Sequence, residues 1–200
     1  MINKNEFKIG LDLDNTVIDY SEAYKYVSDL MKLNIPIKTR SEIKNFFNNS
    51  VEGDLGWQKF QSILYTDAIN YAQVSNGLYN FLEYCYLNEI NLYIISHKTK
   101  KTSIRYNDLD LRKLALKWLK DNNIVPKYIK LKNVIFKDSQ KEKIQAINDL
   151  KINVFVDDLP EIINSNELNK ETIGILFSNE RNNNSLSSFN ELIEKVKSWT

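Results

Sequence analysis

Five short, mostly apolar runs are spaced along this chain, and the longer segments between them repeat their apolar residues at helical period. The runs are Phe7 to Leu13, Leu92 to Ile95, Asn133 to Phe136, Ile152 to Val156 and Thr172 to Phe177. Strands that lack polar alternation are buried on both faces, and helices between them supply both the cover and the crossover that a parallel sheet needs. The helical stripes are Leu111, Leu114, Ala115, Trp118 and Leu119; Ile144, Ile147 and Leu150; and Phe189, Leu192, Ile193 and Val196, and each is expected to face the sheet. An α/β fold with a mostly parallel five-stranded sheet follows.

Residues 20–74 interrupt this alternation. They hold three helical patterns and no convincing strand: Ala23, Val27, Leu30 and Met31; Ile43, Phe46 and Phe47; and Trp57, Phe60, Leu64 and Tyr71. Turn signals at Asn34-Ile35-Pro36 and from Gly53 to Gly56 separate them. The expected organisation is a core of residues 1–19 and 75–200 with a small helical insertion of residues 20–74 after the first strand. The insertion's aromatics are read mainly as its own core, with one or two free to line a substrate cavity.

Composition narrows the class. The 200 residues are 42% hydrophobic and 12% aromatic, well above a disordered chain, and 27 basic against 26 acidic side chains leave a formal net charge of +1. Such a balance implies no polyanion partner, and the one short basic cluster, His97 to Arg105, reads first as a loop. The opening residues lack a secretory pattern and no apolar run reaches membrane-spanning length, so a cytoplasmic chain is expected. A single cysteine, Cys85, excludes an internal disulfide and a cysteine-rich zinc site. It shares a helical face with Leu78, Phe81 and Leu82 and is read as core.

The chemistry-bearing residues collect beside the proposed strand ends, where open parallel sheets bind ligands. Asp12-Leu13-Asp14-Asn15-Thr16 follows the first strand, Ser96 the second and Asp157-Asp158 the fourth, while Lys141 and Lys143 start the helix before that fourth strand. Adjacent carboxylates repel, and a divalent cation would let them stay ionised. Asp157-Asp158 could instead cap the helix starting near Leu159-Pro160-Glu161.

In this order the motifs resemble those of the haloacid dehalogenase-like (HAD) hydrolase superfamily. The resemblance covers the whole core: Asp-x-Asp-x-Thr at Asp12 to Thr16, Ile94-Ile95-Ser96, a lone lysine, and Val156-Asp157-Asp158. It implies a Rossmann-like three-layer sandwich and a capped phosphatase that hydrolyses a small phosphomonoester through an aspartyl-phosphate. Asp12 would be the nucleophile and Asp14 the general acid and base. Mg²⁺ would be held by Asp12 and the Asp14 backbone carbonyl, with Asp157 and Asp158 completing or supporting the shell and either one the direct ligand. Ser96 and Lys143 would hold the phosphoryl oxygens, with Lys141 the alternative lysine and Lys137 a more distant one.

The remaining residues are less determined. Thr16 either orients the nucleophile loop or contacts phosphate. Asp19, Tyr20 and His97 are candidate substrate contacts, and Lys98, Lys100, Lys101 and Arg105 are read as a solvated loop before a second anion site. An Asp at position 14 favours phosphate-ester hydrolysis, with a 5'-nucleotidase, a phosphomutase, a phosphate or metal sensor and a scaffold as the competing readings. Short bacterial proteins with a similar Ile-Ser-His-Lys-Thr segment and Asp-Asp-Leu-Pro-Glu segment point to a sugar or polyol phosphate destined for surface polysaccharide.

Overall fold

In a computed structural model of the chain, the residues described are 6–33, 39–102, 104, 109–178 and 184–199. The turn at Asn34-Ile35-Pro36 and Arg105 lie outside them. Among the described residues no helix is long and apolar enough to cross a membrane. They form two compact units: residues 6–19, 74–98 and 119–199 make the first, and Tyr20–Gln73 with Thr99–Trp118 make the second.

The first unit is built on strands β1 (Lys8–Leu11), β4 (Asn91–His97), β5 (Val134–Lys137), β6 (Val154–Asp157) and β7 (Ile173–Leu176). All five expected strands are present, and every ladder between them is parallel, in the order β5-β4-β1-β6-β7. The central strand, β1, therefore borders both halves of the sheet, and the change of winding direction opens a crevice at its carboxyl end. Ile9, Leu11, Ile94, Ile95, Val154, Phe155 and Val156 are buried, which accounts for their unbroken apolar pattern. β1 and β6 approach closely at Gly10, where a Cβ would meet the Phe155 ring at 2.6 Å. A side chain at position 10 would have to displace the Phe155 ring.

Helices flank this sheet. Ile144 and Ile147 of α6 (Gln140–Asp149) pack with Ile162 of α7 (Pro160–Ile163) over Ile95 and Phe155. α4 (Leu78–Leu87) and α8 (Phe189–Trp199) pack together through Phe81 and Phe189, whose rings lie 5.4 Å apart, and Phe177 joins them. Leu78, Phe81, Leu82 and Cys85 are all buried, as their spacing predicts, and burial pushes the Cys85 thiol well above its ordinary range.

The second unit contains α1 (Ser21–Leu30), α2 (Arg40–Asn48) and α3 (Gly53–Leu64). A capping box starts α2: Thr39 accepts from the Glu42 amide, and the Glu42 carboxylate accepts from the Thr39 amide. Tyr24, Phe47, Trp57 and Phe60 form an aromatic core within it, and the absence of a side chain at Gly56 admits the Phe47 ring. The third helical pattern does not run on to Tyr71. α3 stops at Leu64 and a separate 3₁₀ turn covers Asp67–Tyr71, leaving Tyr71 half exposed. A two-stranded sheet of β2 (Ile18–Asp19) and β3 (Gln73–Val74) was also beyond the periodicity, because two residues cannot establish an alternation. Helix α5 (Leu111–Asp121) departs from the expectation that its whole stripe faces the sheet. Leu111 to Trp118 group with the second unit and Leu119 with the first. The Trp118 indole N–H donates to the Ala72 carbonyl at 3.4 Å.

Candidate active site

Asp12, Ser96, Lys143, Asp157 and Asp158 gather at the carboxyl ends of β4, β1 and β6. The Asp12 amide donates to the Val156 carbonyl at 2.8 Å, which prolongs the β1–β6 ladder by one residue and fixes the backbone beneath the carboxylate. The chain then turns tightly. The Leu13 carbonyl accepts from the amides of Val17 and Ile18 at 3.0 and 2.9 Å, and Asn15 adopts a left-handed conformation with φ of 60°. Asn tolerates that region far better than a branched residue.

Lys143 reaches the same place from the first turn of α6. Ser139 caps that helix by accepting from the Glu142 amide at 3.1 Å, while the Glu142 carboxylate accepts from the Asp138 amide at 3.0 Å. The Lys143 ammonium is buried, 2.5 Å from Asp12 Oδ1 and 2.7 Å from Asp157 Oδ2, with the Phe155 ring beneath it at 5.4 Å. Lys141 is exposed and Lys137 half-buried. Asp157 Oδ1 accepts from the Leu159 amide at 3.0 Å, immediately before α7, so this carboxylate both supports a helix start and binds the lysine.

Asp12, Asp157 and Asp158 each present an oxygen within 4.8 Å of the others. Asn15 Nδ2 donates to Asp158 Oδ2 at 3.3 Å. Crowding is visible in the proton affinity of Asp157, pushed up to about 7 by burial first and by the Asp12 charge second, against the pull of Lys143 and the Leu159 amide. For Lys143, burial opposes the charge, but Asp12 and Asp157 overcome it and raise its proton affinity. With its three carboxylates ionised, the cluster together with the Lys143 ammonium carries two net negative charges, and the donors are all oxygen. A hard divalent cation such as Mg²⁺ fits that set.

Asp14 stands apart from this cluster. The Lys98 ammonium donates to both of its carboxylate oxygens, at 2.7 and 3.0 Å, and Lys98 is only 4% exposed. This corrects the expectation of a solvated loop lysine. Strand β4 runs to His97, and the Lys98 amide donates to the Lys137 carbonyl at 3.0 Å, continuing the β4–β5 ladder. Side chains on extended chain alternate, so Ser96 and Lys98 are both buried whereas His97 is exposed, its Nε2 3.1 Å from the Asp138 carbonyl. Lys100 and Lys101 are exposed, as expected.

No protein-family profile and no curated relative matches the sequence. Solved structures do match. A HAD-superfamily hydrolase from Ehrlichia chaffeensis aligns over 99% of this chain and 98% of its own, at 17% identity and a TM-score of 0.56. A haloacid dehalogenase-like family hydrolase from Streptococcus pneumoniae aligns over 98% of each chain, at 14% identity and 0.57. A predicted phosphatase from Clostridium acetobutylicum aligns over 96% of this chain and 98% of its own, at 17% identity and 0.57. The fold is haloacid dehalogenase-like.

Within this HAD-like sheet, Ser96, Asp12 and Asp157 sit at the ends of three neighbouring strands. Thr16 is fully buried, and its hydroxyl has no hydrogen-bond partner among the described residues. Asp19 is half-buried. Tyr20 belongs to the second unit, where its buried ring packs on Tyr24 and Tyr65 at 6.1 and 5.7 Å. Lys98 is the residue that sequence reasoning undervalued. Its signal was its place two residues beyond Ser96 on a continuing strand.

Proposed function

We propose that this protein is a Mg²⁺-dependent phosphatase that hydrolyses a small phosphomonoester through an aspartyl-phosphate. The observation that carries the reading is the division of charge at the strand ends: Asp12 lies with Lys143 in an oxygen-rich cluster, and Asp14 lies two residues away in a separate ion pair. The second unit is proposed as the cap that selects the substrate, a sugar or polyol phosphate or a similar metabolite.

The Asp12 oxygen not held by Lys143 attacks phosphorus in line as the bond to the leaving oxygen breaks. Asp14, in its protonated form, delivers a proton to that oxygen, releasing a neutral alcohol and leaving the Asp14 carboxylate. Water then attacks the phosphoryl group, Asp14 removes its proton, and the bond from phosphorus to Asp12 breaks to release inorganic phosphate and restore both carboxyl groups. Ser96 and Lys143 hold the phosphoryl oxygens. Asp12, Asp157, Asp158 and the Asp14 carbonyl would bind Mg²⁺, whose contribution is to neutralise charge on the phosphoryl oxygens and on the crowded carboxylates.

The test is a screen of phosphomonoesters with Mg²⁺, including an activated aryl phosphate, run on the native chain and on Asp12→Asn. Release of inorganic phosphate by the native chain is expected, with turnover reduced on the order of 10⁴-fold or more by the substitution. Equal rates for the two proteins would overturn the nucleophile assignment. Isomer formation without phosphate release would turn the reading to a mutase, and no reaction with any ester to a sensor.

A further inference from the structure

We infer that Lys98 is a positioning residue for Asp14, which it holds outside the cation-binding carboxylate cluster so that this side chain remains available for proton transfer. The inference rests on the phosphatase reading and adds to it a residue outside the four motifs. A lysine at 4% exposure is rare and costly unless paired. Here the ammonium lies between both oxygens of one carboxylate. Its backbone is tied to β5 through the Lys137 carbonyl, so the ammonium is presented from the fixed end of an interior strand and not from a loose loop.

The need for such a device follows from spacing. Asp14 is two residues from Asp12 on one tight turn, and Asp12, Asp157 and Asp158 already converge within 4.8 Å. A divalent ion placed there attracts every carboxylate within reach. A carboxylate captured as a ligand is a poor base and cannot donate a proton to a leaving group. Lys98 gives the Asp14 carboxylate a competing cation, and an ammonium holds it by exchangeable hydrogen bonds instead of a coordinate bond. The site thereby keeps two sets: the Asp12, Asp157 and Asp158 cluster, two of whose carboxylates meet Lys143, and Asp14 with Lys98.

The test compares the native chain, Asp12→Asn, Lys98→Met and Lys98→Arg on a primary alkyl phosphate and on p-nitrophenyl phosphate. An alkoxide needs a proton to leave and nitrophenolate does not, so the two esters separate a loss of Asp14 function from general damage. For Lys98→Met, kcat on the alkyl ester should fall on the order of 10²-fold with KM changed less than about threefold. First-turnover release of nitrophenolate should stay within about threefold of native and then slow, giving a burst of one per protein, because hydrolysis of the intermediate still needs Asp14. Lys98→Arg should recover at least about tenfold of the alkyl-ester loss.

Native-like kcat on the alkyl ester, or equal first-turnover losses on both esters, would overturn the inference. If Lys98→Met does not fold, Lys98→Gln carries the same comparison. A native chain that cleaves neither ester, or an Asp12→Asn variant as active as the native chain, would defeat the phosphatase reading and this inference with it. A functional native chain, an inactive Asp12→Asn and an unimpaired Lys98→Met would defeat the inference alone.

Discussion

Lys143 and Lys98 are both buried lysines paired with carboxylates at the same end of one sheet, yet their surroundings differ in charge. Lys143 meets two buried carboxylates in a cluster of three, whereas Lys98 meets both oxygens of Asp14, whose side chain is 16% exposed. The first region keeps an excess of negative charge and the second is balanced. Excess suits the binding of a cation, and balance keeps a carboxylate out of that binding. Position alone, at a strand end, would not separate the two surroundings.

The largest expected effect is on the unbalanced region. Lys143→Met leaves Asp12 and Asp157 buried without their ammonium and should lower unfolding stability by about 3–5 kcal/mol in urea titration. Lys98→Met should cost less, about 1–3 kcal/mol, since Asp14 retains some solvent. Equal losses would break the comparison.

Cation binding offers a second way to break it. Asp158→Asn should weaken Mg²⁺ binding, followed by calorimetry, by roughly 10- to 100-fold. Asp14→Asn should leave Mg²⁺ affinity within about threefold while lowering kcat by about 10²–10⁴-fold. A large drop in Mg²⁺ affinity in Asp14→Asn would place that side chain in the cation cluster.

Asp157 gives the unbalanced region a pH signature. Its carboxyl is pushed up to about 7 in the folded protein, against roughly 4 in an unfolded chain. Between those values the folded state holds a proton that the unfolded state has lost, so this group's contribution to stability falls as pH rises through the window and is level above it. In the presence of a chelator, Asp157→Asn should therefore gain stability relative to the native chain from about pH 4 to 7. Mg²⁺ competes with the same proton, and it should raise the unfolding midpoint of the native chain more at about pH 8 than at about pH 5. The opposite slope would show that Asp157 is not the crowded group.

The smallest effect sharpens the comparison by its absence. Lys141 lies two residues before Lys143 but is exposed, and Lys141→Ala should change stability by no more than about 0.5 kcal/mol and leave turnover unaltered.

Much of this was legible in the sequence because it depends on local pattern. Buried strands have to be apolar on both faces, so the runs ending at Leu13, Ile95 and Val156 marked the sheet, and the polar residues after them marked its carboxyl end. The face of Leu78, Phe81, Leu82 and Cys85 was visible for the same reason. Lys98 was not, because a lysine among lysines reads as solvated unless the strand is known to continue past Ser96. The break between α3 and the Asp67–Tyr71 turn escaped because an apolar stripe can cross a helix end without losing period. The allocation of α5 was equally hidden: one stripe of Leu111, Ala115, Trp118 and Leu119 says that a face is buried but not in which unit.

By itself the sequence determined the parallel α/β sheet and the set of polar groups at its carboxyl end, since periodicity and strand termini are properties of neighbours along the chain. Only the tertiary structure decided how those groups share charge. Lys143 meets Asp12 across 131 positions and Lys98 meets Asp14 across 84. Ion pairing depends on distance and burial in space, and neither is written in the local order of residues.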